Sequence, residues 1–194
     1  MRKSIVYLMV ACFLILGIGC SKSTIAPKED INQLKKEIQP TNSGSADQKN
    51  KEDEISVTLY FSDKNADKLK EEKREIDKSE VINKLEETIV NELIKGPQNS
   101  SELLATIPQN TQLLSLSRNN ETVLINFSKE FVENHPGGSS SETLTIFSIV
   151  NTLTEIKEVE KVEFLVEGKK LKEFKGHYEF DKPFTRNEEI INRL

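Results

Sequence analysis

Along the 194 residues, the rhythm of apolar and polar positions changes several times. Ile5 to Ile18 is almost unbroken apolar, and residues 21–54 are dominated by Lys, Glu, Asp, Asn, Gln and Ser. From Ile55 a period of two sets in: Ile55, Val57, Leu59 and Phe61 alternate with Ser56, Thr58 and Tyr60, which predicts a strand with one face buried. A charged stretch, Asp63 to Glu75, reads as a loop. Asp77-Lys78-Ser79-Glu80 has capping-box spacing, and Val81, Ile82, Leu85, Ile89 and Leu93 follow at helical intervals until Gly96-Pro97. Ile107-Pro108 closes the next loop. Leu114 and Leu116, then Val123, Ile125 and Phe127, predict a hairpin turning through Ser117–Glu121. A second capping box, Ser139 with Glu142, opens a helix whose broad apolar face is Leu144, Phe147, Val150 and Leu153, widened by Ile146 and Ile149. Val162, Phe164 and Val166 alternate again, and Gly168-Lys169 turns the chain toward Leu171 and Phe174.

The order strand, helix, two strands, helix, strand predicts an α+β fold, a single sheet of about four strands with two helices packed on one face. The stretch from Ile55 onward suits one domain with one core. Its expected limits are residues 55–178, with 179–194 as a C-terminal tail.

The first 19 residues change the picture. Met1-Arg2-Lys3 before the apolar run makes a secretory signal, the run being a little short of the roughly 20 residues of a spanning helix. Gly19-Cys20-Ser21 at its end resembles a bacterial lipoprotein signal, in which cleavage precedes the Cys and the thiol carries a diacylglyceryl group. The Leu such a box carries three positions before its Cys is Gly17 here, with Leu16 one further back. Met9-Val10-Ala11-Cys12 is a rival box, but cleavage there leaves too short an apolar core. The alternative to lipidation at Cys20 is an uncleaved single-span anchor. Two acyl chains hold a protein on a bilayer where one binds marginally. Residues 20–54 then form the lipidated Cys and a flexible tether, whose 34 residues after Cys20 span about 30 Å as a coil. Within it Ile31, Leu34 and Ile38 hint at an amphipathic turn or two, too short to be stable alone.

Composition then excludes several classes. Cys12 and Cys20 are the only cysteines, so the expected folded part holds no disulfide, thiolate metal site or cysteine nucleophile. Loss of Arg2 and Lys3 with the leader leaves 25 basic against 32 acidic residues, a charge of −7. Such a chain is a poor partner for nucleic acid and gets no electrostatic help at an anionic bilayer.

Candidate chemistry is thin. His135 before Pro136-Gly137-Gly138-Ser139 has the makings of a general base beside a serine, yet the nucleophile elbow G-x-S-x-G is missing its closing Gly. A Gly-rich entry to a helix accounts for the same residues. Asp63-Lys64-Asn65-Ala66-Asp67 starts like a calcium loop, but its sixth and twelfth positions hold Lys68 and Arg74. Asp63, Glu75, Glu130 and Glu142 are candidate acid–base pairs for sugar cleavage, although 32 carboxylates make chance pairs common. The expectation is no catalytic, cofactor or metal residue, with Cys20 as the one modification site. Exposed sheet edges, which can accept a partner strand, are the informative surface for binding.

One resemblance is specific. Val57-Thr58-Leu59-Tyr60-Phe61-Ser62-Asp63, Glu92-Leu93-Ile94-Lys95-Gly96-Pro97, Ile107-Pro108 and Val123-Leu124-Ile125-Asn126-Phe127-Ser128 come in order. Phe147-Ser148-Ile149-Val150-Asn151-Thr152-Leu153-Thr154 and Val162-Glu163-Phe164-Leu165-Val166-Glu167-Gly168 complete the series. Together they resemble the GerM domain, found in envelope-anchored proteins of spore-forming and other bacteria. The resemblance implies a fold akin to the ring-building modules of secretion machines. It also implies a non-catalytic role in sporulation or spore germination through contacts with other envelope proteins. The partners so expected are the bilayer, through acylated Cys20, and envelope or sporulation-complex proteins, with self-association left open. The alternative is a vegetative envelope lipoprotein that binds a small ligand or peptidoglycan fragment, and a hydrolase is a third reading.

Overall fold

Alternation at the start of the domain is realised directly. The computed structural model describes residues 53–192, and the expected leader 1–19, Cys20 and the tether up to residue 52 lie outside them. Strand β1 (Glu54–Asp63) buries Val57, Leu59 and Phe61 and pairs antiparallel with β2 (Leu69–Asp77), in register from Glu54 opposite Asp77 to Ser62 opposite Leu69. The stretch expected as a charged loop is therefore mostly a strand. From Glu71 its period of two is present, with Glu71, Lys73 and Glu75 exposed and Arg74 and Ile76 buried, while Leu69 at its start is buried in a separate cluster with Tyr60, Leu144 and Ile190. An apolar alternation is absent because one inward position belongs to an arginine. Arg74 lies 5.4 Å over the Phe61 ring and pairs with Glu72 at 2.6 Å and Glu92 at 2.8 Å. It also donates to the carbonyls of Glu92 and Gly96. A buried charge survives only when paired and hydrogen-bonded in this way.

The expected first helix is two. Asp77 caps α1 (Lys78–Val81) by accepting from the Ser79 amide at 2.9 Å, as the sequence spacing suggests for its start. The chain then breaks at Ile82–Lys84, where Asn83 takes φ +59, and resumes as α2 (Leu85–Lys95), which buries Ile89, Val90 and Leu93. Asparagine is among the few non-glycine residues that adopt this conformation readily. Gly96 ends α2 at φ +85.

After β3 (Leu103–Leu104), which joins β1 at Ser62 and Asp63, the hairpin β4 (Leu113–Asn119) and β5 (Thr122–Phe127) turns through Asn120 and Glu121. A short α3 (Glu130–Glu133) precedes α4 (Ser139–Leu153), and β6 (Lys161–Val166) returns parallel to β5. Parallel neighbours need such a helical crossover. The chain ends in β7 (Glu173–Phe174), β8 (Tyr178–Glu179) and β9 (Phe184–Thr185).

Among the described residues these strands form three sheets, β2-β1-β3, β4-β5-β6-β9 and β7-β8, rather than one sheet of about four. The mixed α and β content stands and the single sheet does not. The reason lies on α4, which packs against β1 on the one hand and β6 and β9 on the other. The Tyr60 amide donates to Thr152 Oγ1 at 3.0 Å, and Ser148 Oγ donates to the Tyr60 carbonyl at 2.7 Å. Helix hydroxyls thus take the ladder positions that would have let β1 add to the other sheet.

Of the expected tail, 179–194, the described part reaches the core through two side chains, Phe180 and Ile190. Phe180 is fully buried and stacks on Phe164 and Phe174, each at 4.9 Å between centroids, within a cluster that includes Phe131 and Phe184. Burying such a ring contributes on the order of 2–3 kcal/mol. Further on, Leu69 donates to the Ile190 carbonyl and Asn192 donates back to the Leu69 carbonyl, which seats the segment on β2. A run of charges between isolated apolar residues hides this at the sequence level.

Candidate functional site

The stretch from His135 to Leu153 joins a loop to the most buried helix. Besides Glu142, four side chains of α4 (Thr145, Ser148, Asn151 and Thr152) are polar and buried. Each has a partner across the fold. Thr145 Oγ1 donates to the Thr106 carbonyl at 2.6 Å, Ser148 Oγ lies 2.6 Å from Thr106 Oγ1, and Thr152 takes the Tyr60 amide. Since Ser148 spends its proton on Tyr60, the Thr106 hydroxyl is the donor between them. Asn151 grips one residue twice, accepting from the Asn187 amide at 2.9 Å and donating to its carbonyl at 2.8 Å. The amide side chain thereby acts as a one-residue strand for the chain running out of β9.

His135 is built into the same seam. It is buried, edge-on to Phe174 at 4.8 Å, and its Nδ1 accepts from the Gly137 amide at 2.9 Å. The ring proton is therefore on Nε2, which donates to Thr145 Oγ1 at 3.1 Å. Burial pushes its pKa below the usual imidazole range. With both nitrogens engaged, the ring has no free acceptor for a serine proton. The Gly-rich entry is what this stretch provides, with Gly137 at φ +79 and Gly138 at φ +88.

The expected capping box at Ser139 is absent, which is a correction of local chemistry. Gly138 is the N-cap, and no side chain caps the helix. Glu142, fully buried, turns instead to His177, whose Nδ1 donates to it at 2.7 Å and whose backbone amide donates at 3.2 Å. A carboxylate so placed is worth more tied to an imidazole than reaching back to an exposed serine turn. Of the other candidate carboxylates, Asp63 Oδ1 accepts from the loop amides of Asp67 and Lys68. Burial works against its charge, but these amides hold its carboxyl below the ordinary range. Glu75 sits exposed on β2 and Glu130 starts α3.

Sequence reasoning passes over one cluster. Tyr60 Oη donates to Glu155 Oε1 at 2.7 Å, and Arg186 donates to Tyr60 Oη at 3.0 Å and Glu155 at 2.6 Å while lying 5.4 Å over the ring. Burial opposes the Arg186 charge, yet the bonds it donates to Glu188 and Tyr60 hold its pKa above the usual guanidinium range. Burial and the Glu155 bond push the Tyr60 phenol up. The only hint in the sequence is the tyrosine on the second face of β1.

Surfaces around this frame are grooves and edges. A groove of about 470 Å³ lies before α4, lined by Ser62, Leu104, Thr106 and the Gly137–Ser141 turn. A second, of about 290 Å³, runs between β1 (Ile55–Thr58) and the helices, at Leu85, Ile89, Thr152 and Ile156. The outer edge of β2 is lined by exposed Glu71, Lys73 and Glu75, and edge strand β4 exposes Leu114.

The profile of the family named Germane, described as sporulation and spore germination, matches residues 58–172, well over half of the chain. The chain belongs to the Germane family. The tandem GerMN domains of the Bacillus subtilis sporulation protein GerM align with 78% of this chain and 51% of their own, at 26% identity and a TM-score of 0.60. This chain therefore spans about half of that tandem. The first GerMN domain alone aligns with 72% of this chain and 98% of its own, at 22% identity and TM-score 0.52. A candidate lipoprotein from Clostridium perfringens aligns at 29% identity over 68% of this chain and 87% of its own, with TM-score 0.49. Among curated proteins none matches in sequence. The Germane span runs from inside β1 to Lys172, so the seam of α4 with β1 lies within it and the Asn151–Asn187 clamp reaches beyond it.

Proposed function

We propose that this Germane protein is a lipid-anchored, non-catalytic interaction domain that works in sporulation or spore germination by meeting other envelope proteins. Acylated Cys20 holds it on the extracytoplasmic face of the membrane, residues 21–54 space it from the bilayer, and an edge or groove of the folded part docks the partner. The observation that carries this reading is the family match over residues 58–172 behind a leader that ends in Gly19-Cys20. The chemistry of the seam supports it. His135 is spent on Gly137 and Thr145, and Glu142 on His177, so the groups with most catalytic potential serve the fold. Kinship to ring-building modules is fold analogy and adds self-association as a further mode.

Metabolic labelling with a palmitate analogue, followed by membrane fractionation, tests the anchor. The wild-type chain should label and sediment with membranes, and Cys20→Ala should do neither. An unlabelled wild-type chain that still sediments would mean an uncleaved span instead. The groove of about 470 Å³ before α4 favours one second reading, a vegetative lipoprotein binding a small ligand or peptidoglycan fragment. Constitutive expression with no spore defect on deletion would favour it.

A further inference from the structure

Edge strands invite pairing with another chain unless they are short or charged. Among the described residues, β3, β7, β8 and β9 end their sheets with two residues each, and β2 is charged at seven of its nine positions. β4 has neither defence. It closes the four-stranded sheet with seven residues, Leu113–Asn119, of which Arg118 alone is charged. A two-residue turn joins Asn119 to Thr122, so these two exchange both ladder bonds. By alternation Ser117 does so with Leu124, and Ser115 with Asn126. Leu116 and Arg118 therefore turn their amides and carbonyls outward, where no described residue takes them up.

Five residues of this edge run straight. The register shifts at Leu114 on one side and the chain turns at Asn120 on the other, which puts the centre of 115–119 at Ser117. Two copies set antiparallel about a two-fold axis through that centre meet in register. Leu116 of one lies opposite Arg118 of the other and exchanges both bonds with it, the pair recurs across the axis, and Ser117 faces its own counterpart. All four outward groups of each copy are then satisfied, and the bulge of one copy falls where the other turns away. The side chains agree. Leu116, level with Ile125 and packed at the margin of the core, takes the aliphatic stem of Arg118 of the other copy. Each Arg118 brings its own carboxylates, Glu86 at 3.1 Å and Glu158 at 3.3 Å, so opposite charges meet at the seam and no like charges face each other. We infer that β4 pairs with β4 of a second copy, antiparallel about Ser117, joining two four-stranded sheets into one. This deepens the reading of the folded part as an interaction domain by naming the edge and the partner. A single strand pair falls short of the roughly 1,600 Å² of a standard stable interface. The pairing is therefore weak in solution and grows with local concentration, which attachment to one membrane raises.

Disulfide scanning tests this in the full chain in its own membrane, where Cys12 and Cys20 are the only native cysteines. Directly opposed residues of a non-hydrogen-bonded pair have Cα atoms about 4.5 Å apart, within disulfide reach. Under a mild oxidant, Ser117→Cys should give a 117–117 link between chains, mapped by mass spectrometry of mixed isotopically heavy and light copies. Ser115→Cys and Asn119→Cys should each fail to link alone, and should link 115 to 119 when the two chains are co-expressed. In that last pair, adding Ser117→Lys to both chains sets two ammonium groups face to face and should lower the yield about tenfold. Ser117→Thr should preserve it, and Ser117 is exposed, so neither change disturbs the fold. Palmitate labelling of the same cells reports the anchor separately. Absence of the 117–117 link overturns the inference whatever the labelling shows. Links of equal yield at 115–115 or 119–119, or a 115–119 yield indifferent to Ser117→Lys, would mark random collision and overturn it. A link from residue 117 to a different protein would assign the edge to that protein and overturn it equally.

Discussion

Asn151 offers the sharpest test of how the last strand is held. Its side chain is fully buried, and its two bonds to the Asn187 backbone, at 2.9 and 2.8 Å, fasten the segment after β9 to α4. In Asn151→Ala the amide and carbonyl of Asn187 lose their partner together. Leaving a buried group unpaired costs about 1–3 kcal/mol, and Asn187 is half-buried, so the lower half of that range applies to each. The expected loss is therefore about 3 kcal/mol, or about 10 °C in Tm for a domain of this size. Asn151→Asp separates the bonds. It keeps an acceptor for the amide but turns a negative oxygen toward the Asn187 carbonyl, so at pH 7.5 it should cost at least as much as Ala. On acidification the protonated Asp can donate to that carbonyl, and the gap to wild type should shrink by pH 5. Urea unfolding followed by far-ultraviolet circular dichroism, on the chain without its leader, reads both. Hydrogen exchange at Asn187 should accelerate in parallel. A loss below about 0.5 kcal/mol for Ala, or identical behaviour of Ala and Asp at both pH values, would refute the clamp.

Three other outcomes follow from the same geometry. His135 has its pKa lowered by burial, so the unfolded chain binds more protons than the folded one just below the ordinary imidazole pKa of about 6.5. Stability should fall as pH drops through that value in urea titrations, and His135→Gln should flatten this part of the profile. Arg74→Met leaves Glu72 and Glu92 facing each other without their guanidinium and should cost about 3 kcal/mol in the same assay, whereas loss of an exposed pair such as Lys129–Glu133 should leave the urea midpoint where it is. Ending the chain after Tyr178 removes Phe180 and β9 from the aromatic cluster, so the product should lose cooperative unfolding and bind a hydrophobic dye.

How much of this is legible in the sequence depends on what the inward positions carry. Where apolar residues mark them, as in β1, β5, β6 and α4, element and face follow from the spacing. β2 escapes because an inward position is filled by Arg74, whose partners come from Glu72 two residues earlier and from α2, far along the chain. The break at Asn83 escapes because Val81, Ile82, Leu85 and Ile89 keep helical spacing through it. Ile82, counted on the apolar face, ends up exposed. The Ser139–Glu142 spacing is that of a capping box, but His177, 35 residues on, captures Glu142. Local grammar cannot see that contact. The α4 seam is partly legible: Ser148, Asn151 and Thr152 stand in the run that carries the family resemblance, while their partners Tyr60, Thr106 and Asn187 emerge only from the fold. His135 reads as the entry to a helix, and its bonds to Gly137 and Thr145 place it there.

The central claim is that anchoring at Cys20, and not chemistry at His135 or Glu142, underlies the role in spore biology. Its most direct measurement compares heat-resistant spore yield and germination rate in strains carrying a deletion, Cys20→Ala, or His135→Gln, each protein level matched by immunoblot. The account predicts that Cys20→Ala reproduces the deletion while His135→Gln stays at the wild-type level. A defect confined to His135→Gln with Cys20→Ala unaffected, or no spore defect on deletion, would contradict it.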